Sequence, residues 1–214
     1  MEHSTAVHAH SSSEASSAQP SYYEVMETAI QELLIEKQLI GAGEIRRQIE
    51  VLDSRTPALG AKVVARAWVD TEFRSRLLAN GRTACEELGI TFYDDTKLIV
   101  LENTPKVHNL VVCTLCSCYP RPVLGLPPDW YKLPPYRSRA VIEPRALLAE
   151  FGTMIPDDVE IRVSDATAAI RFLVLPMRPK GTEHYTVEEL AALVTRDAMI
   201  GVVPVTIDTG RSGK

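Results

Sequence analysis

The chain has 214 residues, 45% hydrophobic and 24% charged, with a formal net charge of −5. This is enough for one good-sized domain with an arm, in the balance of an ordinary soluble protein. No apolar run reaches the roughly eighteen residues of a membrane span. The start MEHSTAVHAHSSS has no basic stretch leading into an apolar one, as a secretory leader would, and the acidic balance leaves no basic face for nucleic acid. A cytoplasmic protein that binds neither membrane nor nucleic acid is expected.

Residues 1–21, rich in Ser, Ala and His, have too little to bury to offset their ordering entropy and are expected to form a disordered tail. His3, His8 and His10 are read as solvated residues of that tail rather than a metal site. From Tyr22 to Leu39 the apolar residues Val25, Met26, Ala29, Ile30, Leu33 and Leu34 recur at helical spacing. Further helices are expected over 43–52 and 59–69. Another follows Asp70, whose carboxylate can cap it, and a short one holds Cys85 and ends at Gly89.

After Gly89 the character changes. Residues 97–101 and 107–113 are rich in β-branched and aliphatic side chains and read as strands. The stretch from Pro120 to Pro135 carries six prolines, which predicts a structured loop with at most brief helical turns. Pro144 can open a helix running to Gly152. Strands are expected over 159–163 and 170–175. A last helix is expected from Val187 to Met199, with Thr186 and Glu189 forming a capping box. Helices followed by mixed strands and helices predict an α+β chain. The expected parts are the tail 1–21, a helical N-terminal arm over 22–89, a compact layered sheet-and-helix domain over 90–206 that carries a metal-binding loop, and a flexible tail over 207–214.

The chemistry lies in Cys113-Thr114-Leu115-Cys116-Ser117-Cys118, at the end of an apolar strand. Three thiols packed within six residues, with only Cys85 elsewhere, suit metal or redox chemistry better than a disulfide framework. Cys85 reads as a buried core thiol. Tetrahedral zinc would need a fourth ligand, and no second CxxC or HxxxH supplies one; His108 is an awkward candidate. An iron–sulfur cluster meets the same objection. A redox CxxC opens a helix, whereas Pro120 and Pro122 follow here. The CxC half offers a fourth possibility: two thiolates and the backbone nitrogens between them around one trivalent ion, with the third cysteine axial and one position open. Spacing alone leaves these alternatives standing.

The stretch VCTLCSCYPRPVLGLPPDWYK resembles the metal-binding motif of nitrile hydratase alpha subunits and of the related thiocyanate hydrolase gamma subunit. Segments from LGAKVVARAWVD to ELAALVTRDAMIG extend the resemblance over about residues 24–203. It implies that Cys113 is an axial thiolate and that Cys116 and Cys118 are equatorial ligands oxidised to the sulfinic and sulfenic states. The backbone nitrogens of Ser117 and Cys118 would complete the set. Threonine at Thr114 goes with cobalt in this family, and serine with iron, so low-spin Co(III) is implied rather than Fe(III). Cys118, Ser117 and Arg121 are the implied catalytic residues. The oxidised sulfurs would be held by arginines of a beta-type partner subunit, so this chain alone is expected to be inactive, and a cobalt-insertion helper protein is implied. The implied reaction is hydration of a small nitrile to its amide. Arg121 stands where most nitrile hydratase alpha subunits carry tryptophan, and arginine there is a mark of the thiocyanate hydrolase relative, which makes thiocyanate the alternative substrate. Trp68 and Trp130 read as packing aromatics, and Trp130, which follows the loop, is expected nearer the pocket than Trp68. His108 and His184 read as ordinary hydrogen-bonded histidines, and Arg171 and Arg178 either as supports for the loop or the partner or, equally, as surface or structural pairs.

Overall fold

The computed structural model describes residues 20–116 and 118–207. The N-terminal histidines, most of both expected tails and Ser117 lie outside the described residues. The chain divides into two compact units, residues 1–48 and 49–214. In the first unit, α1 (Tyr22–Glu36) begins at a capping box in which Ser21 and Glu24 satisfy each other's amides. Tyr22, Tyr23, Val25, Ile30 and Leu33 of α1 are exposed. The helix α2 (Glu44–Asp53) starts in this unit.

In the second unit, α3 (Pro57–Val69) is packed on several sides at once and buries Gly60, Ala61, Val63, Val64, Ala65 and Ala67. Its small residues let α6 (Arg121–Leu124), α10 (Val187–Leu193) and α11 (Arg196–Ile200) approach closely. The helix α4 (Thr71–Ala79) starts where the Asp70 carboxylate accepts the Phe73 amide, as the sequence predicts. The helix α5 (Gly81–Glu87) carries Cys85 and is followed by Gly89 at φ +77°.

The strands β1 (Lys97–Glu102), β2 (Val107–Val112), β3 (Glu160–Asp165) and β4 (Ile170–Leu175) form two parallel pairs, β1 with β4 and β2 with β3. In the second pair Val112 lies opposite Asp165. The helices α4 and α5 pack on β1, and α11 packs on β2 and β4. This is the mixed helix-and-sheet fold expected, with no helix long and apolar enough to cross a membrane among the described residues.

Two local expectations change. The proline-rich stretch contains α6 and α7 (Asp129–Lys132), but its last prolines open a full helix, α8 (Pro134–Ile142), ahead of α9 (Pro144–Glu150). Proline at the first helical positions lacks only an N–H that would have no helical partner anyway, so Pro134 and Pro135 start a helix rather than prevent one. The expected helix from Val187 to Met199 is two helices. The capping box of Thr186 and Glu189 forms as predicted, but Thr195 accepts the Ala198 amide and caps α11 separately.

Cys85 is fully buried in the core, and burial pushes its thiol up to about 12. A thiolate-directed alkylating reagent at pH 8 is therefore expected to miss Cys85 in the folded chain and to modify it in denaturant. Peptide mapping of the alkylated protein would check this, and rapid labelling under native conditions would contradict the packing.

Candidate metal centre

The loop begins where β2 ends, at the carboxyl edge of a parallel strand pair, the edge at which sheets of this kind present ligand sites. Cys113 is buried and continues the apolar strand. The chain then bends sharply, leaving Leu115 86% exposed at the tip and bringing Cys116 back towards Cys113. The Cys116 amide donates to Cys113 Sγ at 3.3 Å. Cys113 and Cys116 Sγ are 3.4 Å apart, and Cys116 and Cys118 Sγ are 3.2 Å apart. All three sulfurs lie within 4.8 Å of one another. All four cysteines are free thiols.

This donor set can be tested against a metal. Three soft sulfurs converging on one point suit a transition-metal ion. Among the described residues, this is the only group of three or more His, Cys, Asp or Glu side chains placed to hold an ion, and it contains neither a histidine nor a fourth thiol. The closed tetrahedral Cys₄ or Cys₃His set of structural zinc is thus not completed by a described side chain. The awkward zinc candidate His108 is instead buried beside α11, where its Nε2 donates to the Gly201 carbonyl at 2.7 Å. Burial is the main influence there and lowers its pKa. Burial, followed by hydrogen bonds with Cys116 and Cys113, pushes the Cys118 thiol up. A metal that takes up the Cys118 sulfur as a thiolate therefore releases a proton.

Residues distant in sequence hold the loop. Asp165 accepts the Thr114 amide at 2.9 Å and the Thr114 hydroxyl at 2.5 Å, so Thr114 is clamped at both donors. The parallel register makes this possible by setting Asp165 beside Val112. The Tyr131 hydroxyl donates to the Cys118 carbonyl at 3.0 Å, and Arg137 Nη1 donates to the Cys116 carbonyl at 3.1 Å. Asp165, Tyr131 and Arg137 carry no local sequence signal for these roles, because register and helix docking bring them to the loop.

An aromatic layer underlies the loop. The Tyr119 and Tyr131 rings lie 5.1 Å apart, and Trp130 packs edge-on against Tyr136 and Phe151. Trp130 has the packing role expected of it, in the layer beneath the loop and outside the lining of the cleft. Trp68 is farther off, with its Nε1 donating to the Pro176 carbonyl at 2.8 Å.

A cleft of about 420 Å³ opens over Cys116 and Cys118, lined also by Tyr119, Arg121, Arg171, Arg55, Tyr93 and Asp94. Three guanidinium groups thus face one carboxylate. Asp94 is held in its charged form chiefly by the Thr96 hydroxyl, which keeps its pKa below the usual range. The Arg171 guanidinium bonds backbone carbonyls at Thr167, Ala168 and Ile170, and Arg178 bonds Thr182. Arg121 follows the loop through Pro120, opens α6 and lines the cleft. No carboxylate among the described residues pairs with it.

Similarity to known proteins points the same way. The nitrile hydratase, alpha chain, family matches residues 21–203. The low-molecular weight cobalt-containing nitrile hydratase subunit alpha of Rhodococcus rhodochrous is 56% identical over 180 residues, spanning 83% of this chain and 87% of its own length. The thiocyanate hydrolase subunit gamma of Thiobacillus thioparus is 41% identical over 191 residues, spanning 84% of this chain and 79% of its own. A solved structure of recombinant thiocyanate hydrolase with partially modified cobalt centres aligns with a TM-score of 0.80 at 40% identity, over 88% of this chain and 92% of that one.

Proposed function

Because the chain belongs to the nitrile hydratase alpha-chain family, we propose that it is the metal-carrying subunit of a cobalt nitrile hydratase, which converts a small nitrile to its amide together with a beta-type partner. The observation that carries this reading is the convergence of Cys113, Cys116 and Cys118 at the edge of an open cleft. These three sulfurs and the backbone nitrogens of Ser117 and Cys118 would hold low-spin Co(III), with Cys116 and Cys118 as sulfinic and sulfenic groups. The similarity to a cobalt-containing alpha subunit supports cobalt. Such an ion supplies Lewis acidity, which makes a nitrile carbon electrophilic.

The chain's own groups do the rest. Asp165, Tyr131 and Arg137 fix the loop backbone, and the buried Tyr119, Tyr131 and Tyr136 give it a packed apolar footing. Cys116 and Cys118 face the cleft where substrate enters, and Arg121 stands at its wall. Oxygens on the two oxidised sulfurs need charged donors, which a partner subunit would bring to this open face. A helper protein would load the cobalt. Four free thiols agree with a reducing, cytoplasmic setting.

A second reading, thiocyanate hydrolysis, is favoured by one observation: three arginines and a single carboxylate line the cleft. A guanidinium draws an anion in by roughly a few kcal/mol at an effective dielectric near 20. The test is turnover by the complex, co-expressed with its partner in cobalt-supplemented cells, on an aliphatic nitrile and on thiocyanate. Amide formation without thiocyanate loss is expected, and thiocyanate loss with little amide would select the second reading. Arg121→Gln separates the roles further. It is expected to lower kcat/KM for thiocyanate, if that reaction occurs, at least about tenfold more than for the nitrile, because the anion alone loses a charge interaction of roughly a few kcal/mol. Equal losses on both substrates would assign Arg121 to the shape of the cleft.

A further inference from the structure

Of the three side chains that hold the loop backbone, Arg137 is the least expected. Arg139, two residues on along α8, is paired with Glu143 and Glu150. Arg137 has no carboxylate partner among the described residues. Its Nη1 donates to the Cys116 carbonyl at 3.1 Å, and its Nε is buried without a hydrogen-bond partner among the described residues. Burying that one N–H without a partner costs free energy that merely anchoring a loop does not require. Its neighbour already does the anchoring: Tyr136 is buried and donates its hydroxyl to the Val111 carbonyl at 2.7 Å, which ties α8 to β2.

The particular carbonyl matters. Cys116 supplies a sulfur to the cluster from the same residue, so a hydrogen bond on its carbonyl restrains the backbone that aims that sulfur at Cys113 and Cys118.

We propose that Arg137 is a positioning residue for the metal centre: it holds the Cys116 carbonyl, and with it the bend that brings the Cys116 sulfur to those of Cys113 and Cys118, with its positive charge against the electron-rich oxygen. This rests on the reading above, in which Cys116 is a metal ligand. Groups behind the ligands of a metal site orient them in this way, and losing one typically costs about 10–100-fold in metal affinity or activity.

The test compares wild type, Arg137→Gln, Arg137→Lys and the same-helix control Arg139→Gln, each as the cobalt-loaded complex with the partner subunit. The readouts are cobalt per chain, the sulfur-to-cobalt charge-transfer absorption and the rate of cobalt loss to a chelator. Arg137→Gln is expected to release cobalt at least about tenfold faster than wild type and to shift the absorption band. Arg137→Lys, which keeps the charge and a donor on a different frame, should fall between them. Arg139→Gln should match wild type in band and release rate while lowering the thermal midpoint. If Arg137→Gln matches wild type in all three readouts, or Arg139→Gln loses cobalt as readily, Arg137 only packs the helix and the proposal is overturned while the cobalt reading stands. Wild type without cobalt would overturn both. Should Arg137→Gln fail to assemble, the release rate of Arg137→Lys decides: a rate equal to wild type overturns the proposal.

Discussion

Replacing Cys113 with alanine is expected to leave the co-expressed complex folded but without cobalt, and to lower nitrile turnover by more than about 100-fold. The magnitude is a lower bound, because removing a group merely behind a metal ligand already costs about 10–100-fold. Cys113 is buried at the end of β2 and supplies the sulfur to which the Cys116 amide donates, so its loss removes a donor and loosens the turn together. The fold should survive, since deleting one buried sulfur costs on the order of 1 kcal/mol. Cys85→Ala supplies the contrast. Cys85 is equally buried and chemically identical, yet it sits on α5 in the core and outside the sulfur cluster. That variant should lose some thermal stability and keep its cobalt. Metal analysis and thermal unfolding of the two variants side by side would check this. Loss of cobalt from both, or from neither, would contradict the assignment of the loop.

The second large effect is on the fold. Gly201→Ala is expected to destabilise the chain by about 2–5 kcal/mol, enough to unfold a marginal domain. Gly201 closes α11 in the left-handed region at φ +93°, where a side chain costs about 1–2 kcal/mol. An added Cβ would also fall on the Asn109 carbonyl of β2, and overpacking of that kind costs about 1–3 kcal/mol or more when a backbone must move. Asn109 cannot yield easily, because its amide and side chain bond Asn103 and the Glu102 carbonyl. The same glycine's carbonyl accepts the His108 bond, so the disturbance reaches β2 from two directions, four and five residues before Cys113. A denaturant midpoint close to wild type would show that α11 and β2 can separate at little cost.

What the sequence revealed and what it concealed follow from the range of each interaction. The three cysteines are legible because their convergence needs only one turn of chain. Asp70 and the Thr186–Glu189 box are legible because a cap is satisfied within three residues. The break at Thr195 is a signal of the same kind, hidden because the apolar spacing of Ala191, Val194 and Ala198 runs on through it. The helix α8 was concealed by reading Pro134 and Pro135 as the end of a loop when they are the start of a helix. Asp165 and Arg137 lie beyond any local pattern. One is placed by the register of two parallel strands and the other by the docking of α8 on β2, and neither is encoded within a dozen residues of the loop it supports. Arg121 stands between these cases. Its place three residues after Cys118 is plain in the sequence, but that it shares the cleft with Arg55 and Arg171 emerges only on folding.

The trivalent cobalt site is tested most directly by cobalt K-edge X-ray absorption, with metal quantification, on the purified complex of this chain and its partner subunit from cobalt-supplemented cells. One cobalt per chain is expected, at a trivalent edge position, with a first shell of sulfur and nitrogen. Zinc in place of cobalt, or cobalt surrounded by oxygen and imidazole alone, would contradict that expectation.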